Sequence, residues 1–217
     1  MNVIGIIGAM DEEVSILVDL MDIRETIKKA SLEFYKGILE GKNVVLVKCG
    51  IGKVNSALCA QILISEFKVD AIVNTGVAGA LNEKLDVNDI VISTDAIQYD
   101  VDTTAFGDPK GVIPRMKTSV FKADERLIDA AYKSSVEEVK THKVLKGRVV
   151  TGDKFINSKE LKEELVNDFG GYCGEMEGGA IAHVCYLNNT PFVIIRAMSD
   201  KADGSADVTY DVFVHDA

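Results

Sequence analysis

Residues 174–200 read GEMEGGAIAHVCYLNNTPFVIIRAMSD, and the fold follows from how that stretch divides. Residues 191–195 are a short, almost wholly apolar run rich in β-branched side chains, which predicts a buried strand. The run leads straight into Arg196, Ser199 and Asp200. In open α/β sheets ligands bind beyond the carboxyl ends of strands, so polar residues gathered there mark a candidate site. The first half carries Glu175 and Glu177 around Met176, then Gly178, Gly179, Ala180 and Ala182, small enough to let a helix pack closely. Acidic residues are rarely buried without a partner or a task. The plainer account makes the two glutamates helix-terminus acids and Asp200 the opening of a loop.

Working outward, the same alternation of strand and helix recurs along the chain. Residues 3–8 read as a buried strand, and apolar residues at Val14, Leu17, Val18 and Met21 place a helix from about Asp11. Asp11 and Glu12 suit the first turn of that helix, whereas Glu13 directly precedes the apolar stripe and can face the strand end. Residues 32–39 and 43–48 read as a strand pair around the turn Glu40-Gly41-Lys42-Asn43. Cys49-Gly50-Ile51-Gly52-Lys53 then enters a helix; it lacks the third glycine of a dinucleotide fingerprint and the GxxxxGK[ST] of a P-loop. Lys53 reads as a solvated first-turn lysine. Residues 71–75 predict a strand ending in Gly76-Val77-Ala78-Gly79-Ala80, where backbone N–H groups can meet a small ligand.

Residues 89–94 begin a further strand that runs into an irregular stretch at 99–114, with Phe106, Val112 and Ile113 out of any period. Residues 124–138 predict a helix, 144–151 a strand closing in Gly152-Asp153-Lys154-Phe155-Ile156-Asn157, and 158–167 a charged helix. The pattern indicates one α/β domain over 1–217, a mixed, largely parallel central β-sheet flanked by helices.

Composition narrows the function classes. The 217 residues are 47% hydrophobic with 3 prolines, enough for one sizeable core. A net charge of −10 and the lack of a basic stripe argue against nucleic acid and anionic membrane surfaces. The 4 cysteines form no CxxC pair and no metal spacing with the 3 histidines, so they read as reduced core residues and no metal is expected. His183 reads as a packing residue, and His142 and His215 as exposed. The N-terminus lacks a basic n-region and its apolar run ends in three acids, which points to a cytoplasmic protein.

The strand-end clusters together resemble one family. GIIGAMDEE (5–13), GIGKVN (50–55), NTGVAGAL (74–81), TAFG (104–107), TGDKFIN (151–157), EMEGGAIAHVC (175–185) and RAMSD (196–200) are similar, in the same order, to segments of the bacterial 5′-methylthioadenosine/S-adenosylhomocysteine nucleosidases. These belong to the purine nucleoside phosphorylase fold superfamily. The resemblance implies hydrolysis of the bond between adenine and a 5′-thio-substituted ribose, with no cofactor and no metal.

Position by position, the resemblance makes Asp200 the general acid to purine N7, supported by Ser199, and Glu13 the residue that positions and activates water, with Arg196 orienting it. An aspartate, with a reference pKa of about 3.9, needs desolvation or a suitable hydrogen bond to serve as an acid near neutrality. Glu177 would accept from the ribose hydroxyls, Met176 would lie against the sugar, Phe155 would stack on adenine, and the Ile156 main chain would pair with its Watson–Crick edge. Ile51 and Tyr210 would wall the thioalkyl side. Met10, Val77, Ala78 and Glu175 complete the implied substrate contacts. Thr103, Phe106 and Pro114 resemble residues lent by a neighbouring subunit, which implies a homodimer.

An acid on one side of the sugar and a water-handling carboxylate on the other follow the logic of inverting glycosidases, whose carboxyl groups stand roughly 6.5–9.5 Å apart. Two features depart from the family pattern. Val77 replaces a usual serine, and the final helix, expected to begin near Tyr210, would be cut short at Ala217. A phosphorylase on this fold would need cations and hydroxyls gathered for phosphate, of which only Arg196 sits in a motif. A futalosine-type nucleosidase and a non-catalytic nucleoside-binding module are the other readings. The latter has no need of an acid and a water-handling base together.

Overall fold

The computed structural model describes residues 2–203, and Tyr210 and His215 therefore lie outside the described residues. The strands are β1 (Val3–Gly8), β2 (Asp22–Lys29), β3 (Leu32–Leu39), β4 (Lys42–Lys48), β5 (Ala71–Ala80), β6 (Ile90–Gln98), β7 (Val120–Lys122), β8 (Val144–Thr151), β9 (Gly171–Glu175) and β10 (Phe192–Asp200). The helices are α1 (Asp11–Leu20), α2 (Lys53–Ser65), α3 (Glu125–Glu138), α4 (Lys159–Phe169) and α5 (Gly178–Asn188). None is long and apolar enough to cross a membrane.

All ten strands join one mixed sheet in the order β10-β6-β8-β9-β5-β1-β4-β3-β2, with β7 on β6. Parallel ladders join β1 to β4 and β5, β6 to β8, β8 to β9 and β5 to β10. Because β10 pairs with both β5 and β6, strands β5, β9, β8, β6 and β10 close into a ring, while β1 to β4 continue as an open sheet. Val91, Ile92, Val149 and Ile194, carried by strands of the ring, all belong to the main core cluster.

Local chemistry sets the boundaries. Glu40 (φ 47°) and Gly41 (φ 71°) form the expected two-residue hairpin turn between β3 and β4. Asp124 caps α3 by accepting the N–H groups of Arg126 and Leu127, and Ser158 caps α4 through Leu161 N–H. Three findings correct the expected elements. Strand β2 was not anticipated: its residues are charged and mostly exposed, so no apolar alternation announces it, and antiparallel pairing with β3 holds it as a charged edge. Strands β5 and β10 each run about five residues further than the apolar runs suggest. Gly76 to Ala80 therefore continue β5 instead of following it, and Arg196, Ser199 and Asp200 lie within β10. Helix α5 begins at Gly178 with Glu177 as its N-cap, while Glu175 ends a separate short strand.

The extensions matter because they carry the polar residues. Arg196, Ala197 and Met198 pair with Gly76, Val77 and Ala78. The register then slips between Met198 and Asp200, a bulge that re-aims the end of the strand.

Candidate active site

A cavity of about 390 Å³ opens where β1, β5, β9 and β10 end. That is the size of site that accepts a small organic ligand. Its walls include Glu13 from the start of α1, Glu177 from the α5 N-cap and Asp200 from the end of β10. Met10, Ile51, Phe155 and Met176 supply apolar surface, and Val77 and Ala78 line it from β5. Glu175 and Ser199 also reach it.

Each acid is held by a different device. Glu13 Oε2 accepts the N–H groups of Ala9 (2.5 Å) and Met10 (3.1 Å), and its Oε1 accepts that of Val77 (3.0 Å). The oxygen-receiving role expected of the 76–80 backbone is thus filled, in the protein itself, by Glu13. Gly76 makes this possible, since a Cβ there would stand 2.4 Å from Glu13 Oε1. Asp200 Oδ1 accepts from Ala202 N–H (2.7 Å), and Ser199 Oγ lies 2.8 Å from its Oδ2 and 3.3 Å from the Ala78 carbonyl. Gly79 leaves room here, its absent Cβ falling 3.2 Å from Asp200 Oδ1. Gly76 and Gly79 are thus the two positions on β5 where a missing side chain makes room for a carboxylate.

Glu177 is 7% exposed, and its Oε1 accepts Gly52 N–H at 2.8 Å. Burial, with the Glu175 charge beside it, pushes its carboxyl up to about 7; Arg196 and the Gly52 N–H oppose that shift. Glu175 receives Arg196 Nη2 at 2.5 Å, the N–H groups of Glu177 (3.1 Å) and Gly178 (2.7 Å), and the Thr151 hydroxyl.

Several expected residues stand elsewhere. Arg196 is 1% exposed and lies beneath the cavity rather than in its wall. Its guanidinium goes to Glu175, Asn74 Oδ1 (2.6 Å) and the Ile195 carbonyl (3.1 Å), so it secures Glu175 instead of meeting water directly. Ile156, expected to act through its main chain, buries its side chain in a core cluster with Leu81, Tyr99 and Leu165 and lines a small cavity adjoining the site beside Phe155 and Asp200. Phe106, in a single 3₁₀ turn, is 89% exposed; Pro114 is exposed and Thr103 half-buried, and none of the three lines the cavity of the single chain. Lys53 is not a solvated lysine: its Nζ meets Asp100 Oδ1 at 2.6 Å. His183 does pack, stacked on Phe121 with centroids 4.7 Å apart and 3.2 Å from Gln98 Nε2.

Sequence reasoning missed Asn74 and Thr151, which bind the Arg196–Glu175 pair, because lone polar residues in apolar strands carry no pattern. All four cysteines are buried and free, and burial raises the Cys49 thiol to about 12. Among the described residues no group of three His, Cys, Asp or Glu side chains is arranged to hold a metal ion.

Comparison with known proteins identifies the family. Residues 3–217 match the model of the phosphorylase superfamily. The chain is 44% identical over 215 residues to the 5′-methylthioadenosine/S-adenosylhomocysteine nucleosidase of Staphylococcus aureus, covering 99% of this chain and 93% of that one. The Neisseria meningitidis nucleosidase, solved with methylthio-immucillin-A, superposes with a TM-score of 0.93 at 40% identity, over 99% of this chain and 92% of that one. A Helicobacter pylori futalosine hydrolase gives a TM-score of 0.92 at 35% identity, over 99% and 91%. By family match, by identity along nearly its whole length and by fold, this chain belongs to the phosphorylase superfamily and, within it, to the 5′-methylthioadenosine/S-adenosylhomocysteine nucleosidases.

Proposed function

We propose that this chain hydrolyses the N-glycosidic bond of 5′-methylthioadenosine and S-adenosylhomocysteine, releasing adenine and the 5′-thio-substituted ribose. The observation that carries this is the meeting of Glu13, Glu177 and Asp200, distant in sequence, around one cavity.

Asp200 protonates purine N7 as the bond breaks. Ser199 serves both states of that acid because its hydroxyl reaches two partners. With the proton on Asp200 Oδ2, the Ser199 hydrogen turns to the Ala78 carbonyl and Oγ accepts. Once the proton has left, Ser199 turns back and donates to the carboxylate. Glu13 handles water on the opposite face of the sugar. A carboxylate offers about four acceptor positions. Three of those on Glu13 are taken by backbone N–H groups, so the last is fixed in direction. Glu177 keeps Oε1 on Gly52 and offers Oε2 to the ribose hydroxyls. Phe155 stacks on the base, and Ile51, with Tyr210 from outside the described residues, walls the 5′ side.

Among the described residues no Lys, Arg or His lines the main cavity, and Lys154 lines only the small one adjoining it beside Phe155, which supports water over phosphate as the nucleophile. Ile51, Val54, Leu58 and Phe106 are exposed apolar residues, which supports a homodimer in which Thr103, Phe106 and Pro114 complete the neighbour's site. Buried free thiols fit a cytoplasmic setting.

Four measurements test the reading. Asp200→Asn lowers kcat by about 10²–10⁴-fold while the Kd for a nucleoside analogue stays within about threefold; lost binding would make Asp200 structural. Adenine release from 5′-methylthioadenosine proceeds at the same rate with and without phosphate, and faster than purine release from futalosine; the reverse in either arm selects the competing activity. Phe106→Ala raises KM about tenfold, a loss of about 1.4 kcal/mol, with the dimer intact by sedimentation. Glu177 also makes stability depend on pH. Its folded pKa of about 7 exceeds the ordinary 4.5, so its contribution is fully present below pH 4.5 and is lost as pH rises through 7. In urea titrations the wild type therefore loses on the order of 3 kcal/mol relative to Glu177→Gln over that window.

A further inference from the structure

Three loops from distant parts of the chain meet at the rim of the cavity through a ring of charges that neither the motifs nor the family comparison assigns a role. Asp100, just beyond β6, accepts Lys53 Nζ through Oδ1 (2.6 Å) and the Asp153 N–H through Oδ2 (3.0 Å). Asp153 Oδ1 in turn accepts the Lys53 N–H (2.8 Å), so each residue touches the other two. The Lys53 and Asp100 side chains are only 19% and 27% exposed, unlike the many ion pairs on the open surface that contribute little.

What the ring joins gives it meaning. No ladder connects β4 to β6 or β8, which lie on the far side of β1, β5 and β9 in the sheet order. The ring therefore ties the loop after β4 to the loops after β6 and β8. Lys53 follows Gly52, whose N–H holds Glu177. Gly52 has φ 97°, a conformation that favours glycine, and a Cβ there would stand 3.2 Å from Asp153 Oδ1. Asp153 stands two residues before Phe155. Asp100 follows Tyr99, whose hydroxyl donates to the Lys154 carbonyl at 3.3 Å and whose ring lies against Gly152. One side of the ring thus leads to the ribose-binding acid and the other to the base-stacking ring.

We propose that Asp100 is a positioning residue for nucleoside binding: by clamping Lys53 to Asp153 it fixes Gly52 and Phe155, and so the ribose and adenine subsites, at the separation one nucleoside requires. This rests on the nucleosidase reading above. Asp100 does not line the cavity, so it acts through the residues it holds.

Asp100→Asn keeps the shape and an acceptor for the Asp153 N–H but removes the charge that holds Lys53. It raises KM for 5′-methylthioadenosine about tenfold and changes kcat less than about threefold. Lys53→Met, which strips the cation and keeps the stem, does the same and serves should Asp100→Asn fail to fold, whereas Lys53→Arg stays within about twofold of wild type. Adenine binding by calorimetry weakens in parallel with KM. In a Phe155→Ala background, Asp100→Asn has less than half its ordinary effect on binding, because the two changes act on one subsite. An unchanged KM with a lowered melting temperature, a fall in kcat alone, or full additivity with Phe155→Ala would overturn the proposal. Wild-type protein that bound adenine yet left 5′-methylthioadenosine intact would overturn the nucleosidase reading instead, and the calorimetric comparison would still decide the role of Asp100.

Discussion

Beneath the cavity, the ion pair between Arg196 and Glu175 is the constraint on which the rest depends. Both side chains are 2% exposed, so neither charge keeps its water. Such a pair survives only when further hydrogen bonds replace hydration, and removing one partner typically costs about 3–5 kcal/mol. Here Asn74 on β5 and the Ile195 carbonyl on β10 serve the guanidinium, while Thr151 on β8 and the first N–H groups of α5 serve the carboxylate. Strands β5, β8, β9 and β10 and the start of α5 are thereby pinned to one point. The pair also sets the field of the site. Arg196 balances Glu175 and opposes the upward push that burial and the Glu175 charge give the Glu177 carboxyl.

The acids are held largely by main-chain dipoles. Glu13 is gripped by three backbone N–H groups, Glu177 by that of Gly52 and Asp200 by that of Ala202. Backbone donors belong to strands and helix starts that move little, so they suit groups whose direction must not drift during reaction. The contact with Glu13 at position 77 is made by the main-chain N–H, so it does not depend on the Val77 side chain.

Much of this was legible in the sequence because burial writes itself as apolar runs. The strands at 3–8 and 144–151 emerged with their observed ends, and the clusters at strand termini marked Glu13, Glu177 and Asp200. What stayed hidden follows from pairing between distant segments. The charged residues of β2 form a strand only because β3 offers its edge. The small residues Gly76 to Ala80 carry no strand signal of their own, and the parallel ladder to β10 extends β5 through them. In the sequence Arg196 directly follows an apolar run and precedes Ser199 and Asp200, a setting shared by ligand-binding and buried structural arginines, and only Asn74, distant in sequence, decides between them. Lys53 was misread for the same reason, its partner lying 47 residues along the chain.

The closed ring of strands also orders events during synthesis. Strand β10 is the last described strand to leave the ribosome, and it inserts between β5 and β6, which were made long before. Until then β5 and β6 each present an unfilled edge, a surface that nascent chains must keep from pairing elsewhere. The same insertion brings in Asp200, so closure of the strand ring and completion of the cavity wall become one event.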